Sequence, residues 1–220
     1  MNIEEETISS EEIKLSDNEI FTKIWFKPRM VFKYINDSQY DKYVYVLLIL
    51  AGIMKSFDRA VDKNMGDNLS LIFVISICVF LGGLLGWISY YIYTALISWT
   101  GKWLDGKGDT KSLLRMTSYA MIPAILALVF IILQVGLFGI ELFQSGFDVS
   151  SYGLVSIVIY FITLIFEIIL GLWSLVIFVI GLSEIQKLSI GKSILNMLLP
   201  VFIIIIPIAL IAFVLGDLFK

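Results

Sequence analysis

The chain has 220 residues, 59% of them hydrophobic and 16% charged, with 16 Lys and Arg against 19 Asp and Glu for a net charge of −3. Soluble domains carry roughly 45–50% apolar and about 25% charged residues; this chain departs from both, and its charges gather between long apolar runs, which points to a polytopic α-helical membrane protein. It has no histidine and one cysteine, Cys78, so the commonest general base, the commonest metal ligand and any internal disulfide are excluded.

Residues 1–17 carry Glu4, Glu5, Glu6, Glu11, Glu12 and Asp17 and few large apolar groups. They predict a disordered acidic tail rather than a signal peptide, with an acidic docking peptide as the functional alternative. Residues 18–42 predict an amphipathic segment. Ile20, Phe21, Ile24 and Trp25, then Val31, Phe32 and Ile35, recur at helical spacing with Lys23, Lys27, Arg29 and Lys33 between them, and Pro28 divides the pattern. Such a segment lies in the membrane interface or packs on the protein's own cytoplasmic face, and the sequence favours neither.

Residues 43–220 form the transmembrane domain, with five segments at about 43–61, 69–99, 117–138, 154–182 and 194–215. A spanning helix needs about 20 residues, which the last four supply. The first is continuously apolar only to Met54 and spans if Lys55 and Arg59 snorkel outward. Charge decides the question. With five crossings, twelve Lys and Arg fall on the N-terminal side and four on the other. Omitting the first crossing gives ten against six. The positive-inside rule therefore favours five spans, with the N-terminus inside and the C-terminus outside. Tyr43, Tyr45, Tyr90, Tyr91, Tyr93, Trp99 and Trp103 fit interfacial belts.

Gly101, Gly106, Lys107 and Gly108 nearly spell a phosphate-binding loop, but Gly108 stands where the magnesium-holding Ser or Thr belongs and no buried strand precedes it. A flexible basic inner loop accounts for the pattern better. Glu167 falls near the middle of the fourth run, where a charge costs on the order of 3 kcal/mol. Ser156, Tyr160, Thr163, Glu167, Gly171 and Ser174 lie on one helix face. Gln134 in the third run is the natural partner for Glu167. The stripe either packs helices or lines an ion or solute path. Pro200 and Pro207 free carbonyls in the fifth run and predict a bend. No pattern of catalytic residues, metal ligands or cofactor contacts stands out.

Several stretches together resemble the Yip family of Rab/Ypt-interacting membrane proteins and their bacterial relatives. Ser118, Tyr119 and Pro123 in "SYAMIP" resemble its G-Y-x-x-x-P motif, with Ser for the first Gly; Gly106-Lys107-Gly108 through Arg115 resembles the preceding inner loop. Phe21–Ile35 resembles the segment leading into the first span, and Gly181–Pro200, including Glu184, the passage from the fourth span to the fifth. The similarity covers about residues 20–215. It implies five spans, a cytoplasmic N-terminus and a non-enzymatic role. Eukaryotic members bind small GTPases through an acidic N-terminal region, but their D-L-Y-G-P motif is missing here, and the chain looks prokaryotic. Tyr119 is expected as an interfacial anchor at the start of a span.

The expectation is thus an all-α polytopic membrane protein with five transmembrane helices preceded by an interfacial amphipathic helix. It sits in the cytoplasmic membrane as a scaffold or adaptor for membrane or peripheral proteins, without cofactor or metal. The bilayer is its first partner, a homo-oligomer is left open, and nucleic acid is not expected. The second reading is a small ion or solute transporter using Glu167.

Overall fold

The computed structural model describes residues 14–218, with side chains through residue 207 apart from residue 204. Every regular element among them is helical. Most of the expected acidic tail, residues 1–13, lies outside the described residues. Its last residues are ordered, contrary to the expected boundary at 17: Leu15 is buried, and Ser16 caps helix α1 (Asp17–Lys23). The Ser16 hydroxyl accepts from the Glu19 amide, while the Ser16 amide donates to the Glu19 carboxylate at 3.0 Å. This reciprocal pair satisfies two groups that a helix start leaves free.

Pro28 opens α2 (Pro28–Asp37), as its fixed φ and missing N–H favour. Ile20, Ile24, Val31, Phe32 and Ile35 are all buried, so α1 and α2 turn their apolar sides onto the protein's own helices. The remaining helices are α3 (Val44–Asp62), α4 (Leu71–Ser76), α5 (Gly82–Gly101), α6 (Thr110–Ala120), α7 (Ile122–Leu126), α8 (Leu128–Phe138), α9 (Leu154–Gln186) and α10 (Ile190–Leu218). A π-helical turn, Ile77–Leu81, joins α4 to α5.

Two apolar clusters lie along the bundle. The first joins α1 and α2 to Val44 and Leu48 of α3, Ile97 of α5, Leu113 and Tyr119 of α6, and Ile177 and Leu182 of α9. The second joins Met54 and Phe57 of α3 to Val74, Cys78, Ile131, Phe138 and Leu170. Helix α3 therefore runs from the first cluster to the second, α4–α5 returns, α6–α8 descends again and α9 returns.

Four helical segments are long and apolar enough to cross a membrane: Leu71–Leu104, Ile122–Phe143, Leu154–Gln186 and Ile190–Pro207. Helix α3 is not among them, because Lys55, Asp58, Arg59 and Asp62 crowd its C-terminal half. It nonetheless makes the closest helix crossing described. A Cβ on Gly52 would stand 2.6 Å from the Gly86 Cα, and one on Gly82 would stand 2.5 Å from the Ser56 Cβ. Gly82 and Gly86 are one turn apart on α5, and Gly52 and Ser56 one turn apart on α3; small residues at this spacing let backbones touch.

The third apolar run does not begin as a single helix. Helix α6 starts at Thr110 on the Asp109 cap and ends at Ala120; Pro123 then sits in the first turn of α7. The break leaves the Ala120 carbonyl free of a helical partner, and the Ser174 hydroxyl of α9 donates to it at 2.7 Å.

Candidate functional site

Three polar groupings hold the side chains singled out by the sequence. The first joins α8 and α9. Gln134 is buried, and its Nε2 donates at 2.9 Å both to the Thr163 hydroxyl and to the Glu167 carboxylate. Thr163 in turn donates to the Ile159 and Tyr160 carbonyls of its own helix. Tyr160 lies on the same face but turns its ring edge-on to Phe138 and Phe147, at 5.7 and 5.5 Å between centroids. The structure thus brings Gln134, Thr163 and Glu167 together and leaves Tyr160 in an aromatic stack. This grouping can hold helices in register or hold a proton.

The second grouping is built from positions far apart in sequence. Gln186, at the end of α9, is buried. Its Oε1 accepts from the Gly108 amide at 2.8 Å, and its Nε2 donates to the Ile97 carbonyl and to Asn196. Asn196 of α10 donates to the Ile97 carbonyl at 3.1 Å and to Thr100 at 2.8 Å. The Lys107 amide donates to the Gln186 carbonyl at 3.0 Å, and Ser98 donates to the Gly108 carbonyl. This arrangement explains the near phosphate-binding loop. A Cβ at Gly101 would fall 2.2 Å from Gln186 Nε2, and one at Gly106 would fall 2.5 Å from its Oε1. The glycines make room for one glutamine, and the loop amides face the protein interior. Lys107 itself is exposed. Gln186 and Asn196 were missed as functional residues. The signal available was a pair of amides, Gln186 and Asn196, in a mostly apolar stretch, with Gly101, Gly106 and Gly108 clustered in a loop far upstream.

The third grouping fastens the N-terminal segment. Arg115 of α6 is only 3% exposed, and its Nε donates to Asp41 at 2.6 Å; Lys111 reaches the same carboxylate at 3.2 Å. The Arg115 guanidinium, and then Lys111, hold the Asp41 carboxyl below the usual carboxylate range. Asp17 accepts from Lys42, Tyr40 and Tyr43, which together hold its carboxyl well below that range. Glu184 pairs with Lys187 at 2.6 Å and stands 4.0 Å from Arg29, so α2 is tethered to the end of α9.

Within the "SYAMIP" stretch the Ser118 hydroxyl donates to the Arg115 carbonyl at 2.7 Å. Tyr119 is not an interfacial anchor. It is fully buried beside the Phe21 and Tyr40 rings, because α1 and α2 close over α6, and its hydroxyl has no hydrogen-bond partner among the described residues. Pro200 and Pro207 lie inside α10, and Gly181 of α9 abuts Met116 and Phe32 so closely that a Cβ would stand 2.7 Å from each. Among the described residues no three acidic or cysteine side chains gather as a metal site would require.

The fold and these groupings define a polytopic membrane protein of apolar helices locked by internal polar contacts. The chain belongs to the Yip1-domain family, whose model matches residues 22–211. No curated protein and no solved structure matches it.

Proposed function

We propose that this chain is a non-enzymatic Yip-family protein of the cytoplasmic membrane, a scaffold or adaptor for protein partners or for membrane organisation. It crosses five times, with the N-terminus inside and the C-terminus outside. The observation that carries the reading is that the buried polar side chains described are, apart from the Thr117 and Tyr119 hydroxyls, spent on one another or on backbone. Gln186 and Asn196 bind backbone, Arg115 binds Asp41, and Gln134 binds Thr163. Twelve Lys and Arg gather at the end that carries α1 and α2, where partners from the cytoplasm would meet them. Helix α3 counts as a crossing because it runs the length of α5, with Lys55 and Arg59 reaching outward. The test is photo-crosslinking in intact membranes from the exposed Lys102 and Lys107. A defined protein captured at both positions supports the reading, and only lipid adducts would contradict it.

Glu167 supports a second reading, a small transporter or channel, because it is a carboxyl near the middle of α9 whose one side-chain hydrogen-bond partner among the described residues is Gln134. Ion and proton flux in proteoliposomes tests it, with Glu167→Gln beside the natural chain. Flux that vanishes in the variant supports transport; none in either removes this reading.

A further inference from the structure

The turn between α1 and α2 combines features that the scaffold reading does not use. Phe26 is 87% exposed, the most exposed large hydrophobic side chain described. Its neighbour Trp25 packs against both apolar clusters. The second of these contains Met54, Ala127 and Leu170, and Leu170 is midway along the Leu154–Gln186 segment. The turn therefore lies against the side of the bundle close to the end that carries α2, where Arg29 meets Glu184 near the end of α9. Lys27, Arg29 and Lys33 are exposed around it. Arg29 and Lys33 are one turn apart on the face of α2 opposite the buried Val31 and Phe32. An aromatic ring in water with nothing over it is costly, whereas rings are favoured at the headgroup level. Long basic stems beside it can lie along apolar surface while their charges reach phosphate.

We propose that the α1–α2 turn is a wedge inserted into one leaflet. Phe26 occupies the upper acyl region, and Lys27 and Lys33 hold the phosphate groups of anionic phospholipids. The inference stands whether or not partner proteins bind.

The test uses the full chain with Phe26→Cys on a Cys78→Ala background, labelled with bimane and reconstituted into mixed phosphatidylcholine and phosphatidylglycerol vesicles. Doxyl groups on the upper acyl chain should quench the probe, and aqueous iodide should not. Brominated phosphatidylglycerol should out-compete brominated phosphatidylcholine at the probe by about five-fold or more. Lys27→Gln with Lys33→Gln should bring the two lipids to parity, and Lys63→Gln at the other end should leave the preference intact. Iodide quenching without doxyl quenching overturns the insertion. Equal quenching by the two brominated lipids, or a preference that survives the double substitution, overturns the lipid assignment.

Discussion

Arg115 shows how a single side chain can bind a segment to the bundle. Its guanidinium is buried, and the Asp41 carboxylate that neutralises it is 43% exposed. Removing one partner of a fully buried pair costs roughly 3–5 kcal/mol, and removing one from an exposed pair costs less than about 1 kcal/mol. Asp41→Ala should fall between, destabilising the protein by about 2 kcal/mol in detergent denaturation; Arg115→Met, which leaves no unpaired charge in the interior, should cost less. Gln186 offers a sharper test. Gly106→Ala should destabilise by about 1–3 kcal/mol through overpacking. The same substitution in a Gln186→Ala background should cost less but not nothing, because the Gln186 Oε1 that it strikes is gone while the Gly101 carbonyl oxygen stays 2.8 Å from the new Cβ. Additive penalties would show that Gly106 is needed for another reason. Little of this was legible in the sequence. Gly108 meets Gln186 across 78 positions, and Asn196 meets Ile97 across 99; no periodicity carries such a contact. Gln134 and Glu167 could be matched because each is a lone polar group in an apolar run, and such a group has few partners to choose from.

At the scale of elements, apolar length was readable and helix breaks were not. The runs at 69–99 and 154–182 correspond to Leu71–Leu104 and Leu154–Gln186, because continuous apolarity fixes a helix with little help from context. The run at 117–138 concealed α6. Residues 110–120 carry Lys111, Ser112, Arg115 and Thr117, which look like loop when the burial that satisfies them is unseen. Tyr119 was misplaced for the same reason: its surroundings come from Phe21 and Tyr40, in a segment that the sequence could equally place in the interface. The α3–α5 crossing yields a prediction of its own. Gly86→Leu would drive a side chain into the Gly52 backbone, where no flexible atom can yield. It should separate the two helices and destabilise the protein by more than the usual 1–3 kcal/mol of core overpacking. A disulfide between cysteines placed at Ile49 and Gly83 should form readily in the parent and not in the Gly86→Leu variant.

For the whole molecule, the N-terminal segment is held to the bundle by carboxylates whose protonation is shifted. Both Asp41 and Asp17 titrate below their ordinary value of 3.8, through Arg115 in one case and Lys42 with two tyrosines in the other. A carboxyl depressed in the folded state stabilises it above the unfolded value, and that stabilisation is lost as pH falls through the folded one. The segment should therefore be fully fastened at neutral pH and loosen only below about pH 4. Trp25 fluorescence followed from pH 7 to pH 3 should report the release, and Asp41→Asn with Asp17→Asn should flatten the profile.

The proposed five-span topology requires α3 to cross the membrane despite its four charges. That places the Met65–Asp67 turn on the opposite side from Lys107 and Lys187. The most direct measurement is the labelling, by a membrane-impermeant thiol reagent in intact cells, of single cysteines at Asn64, Gly146, Lys107 and Lys187 on a Cys78→Ala background. Five crossings predict labelling at Asn64 and Gly146 before lysis, and at Lys107 and Lys187 only after it. Labelling of Lys107 and Lys187 in intact cells, with Asn64 protected, would contradict the account and leave α3 on the inner face.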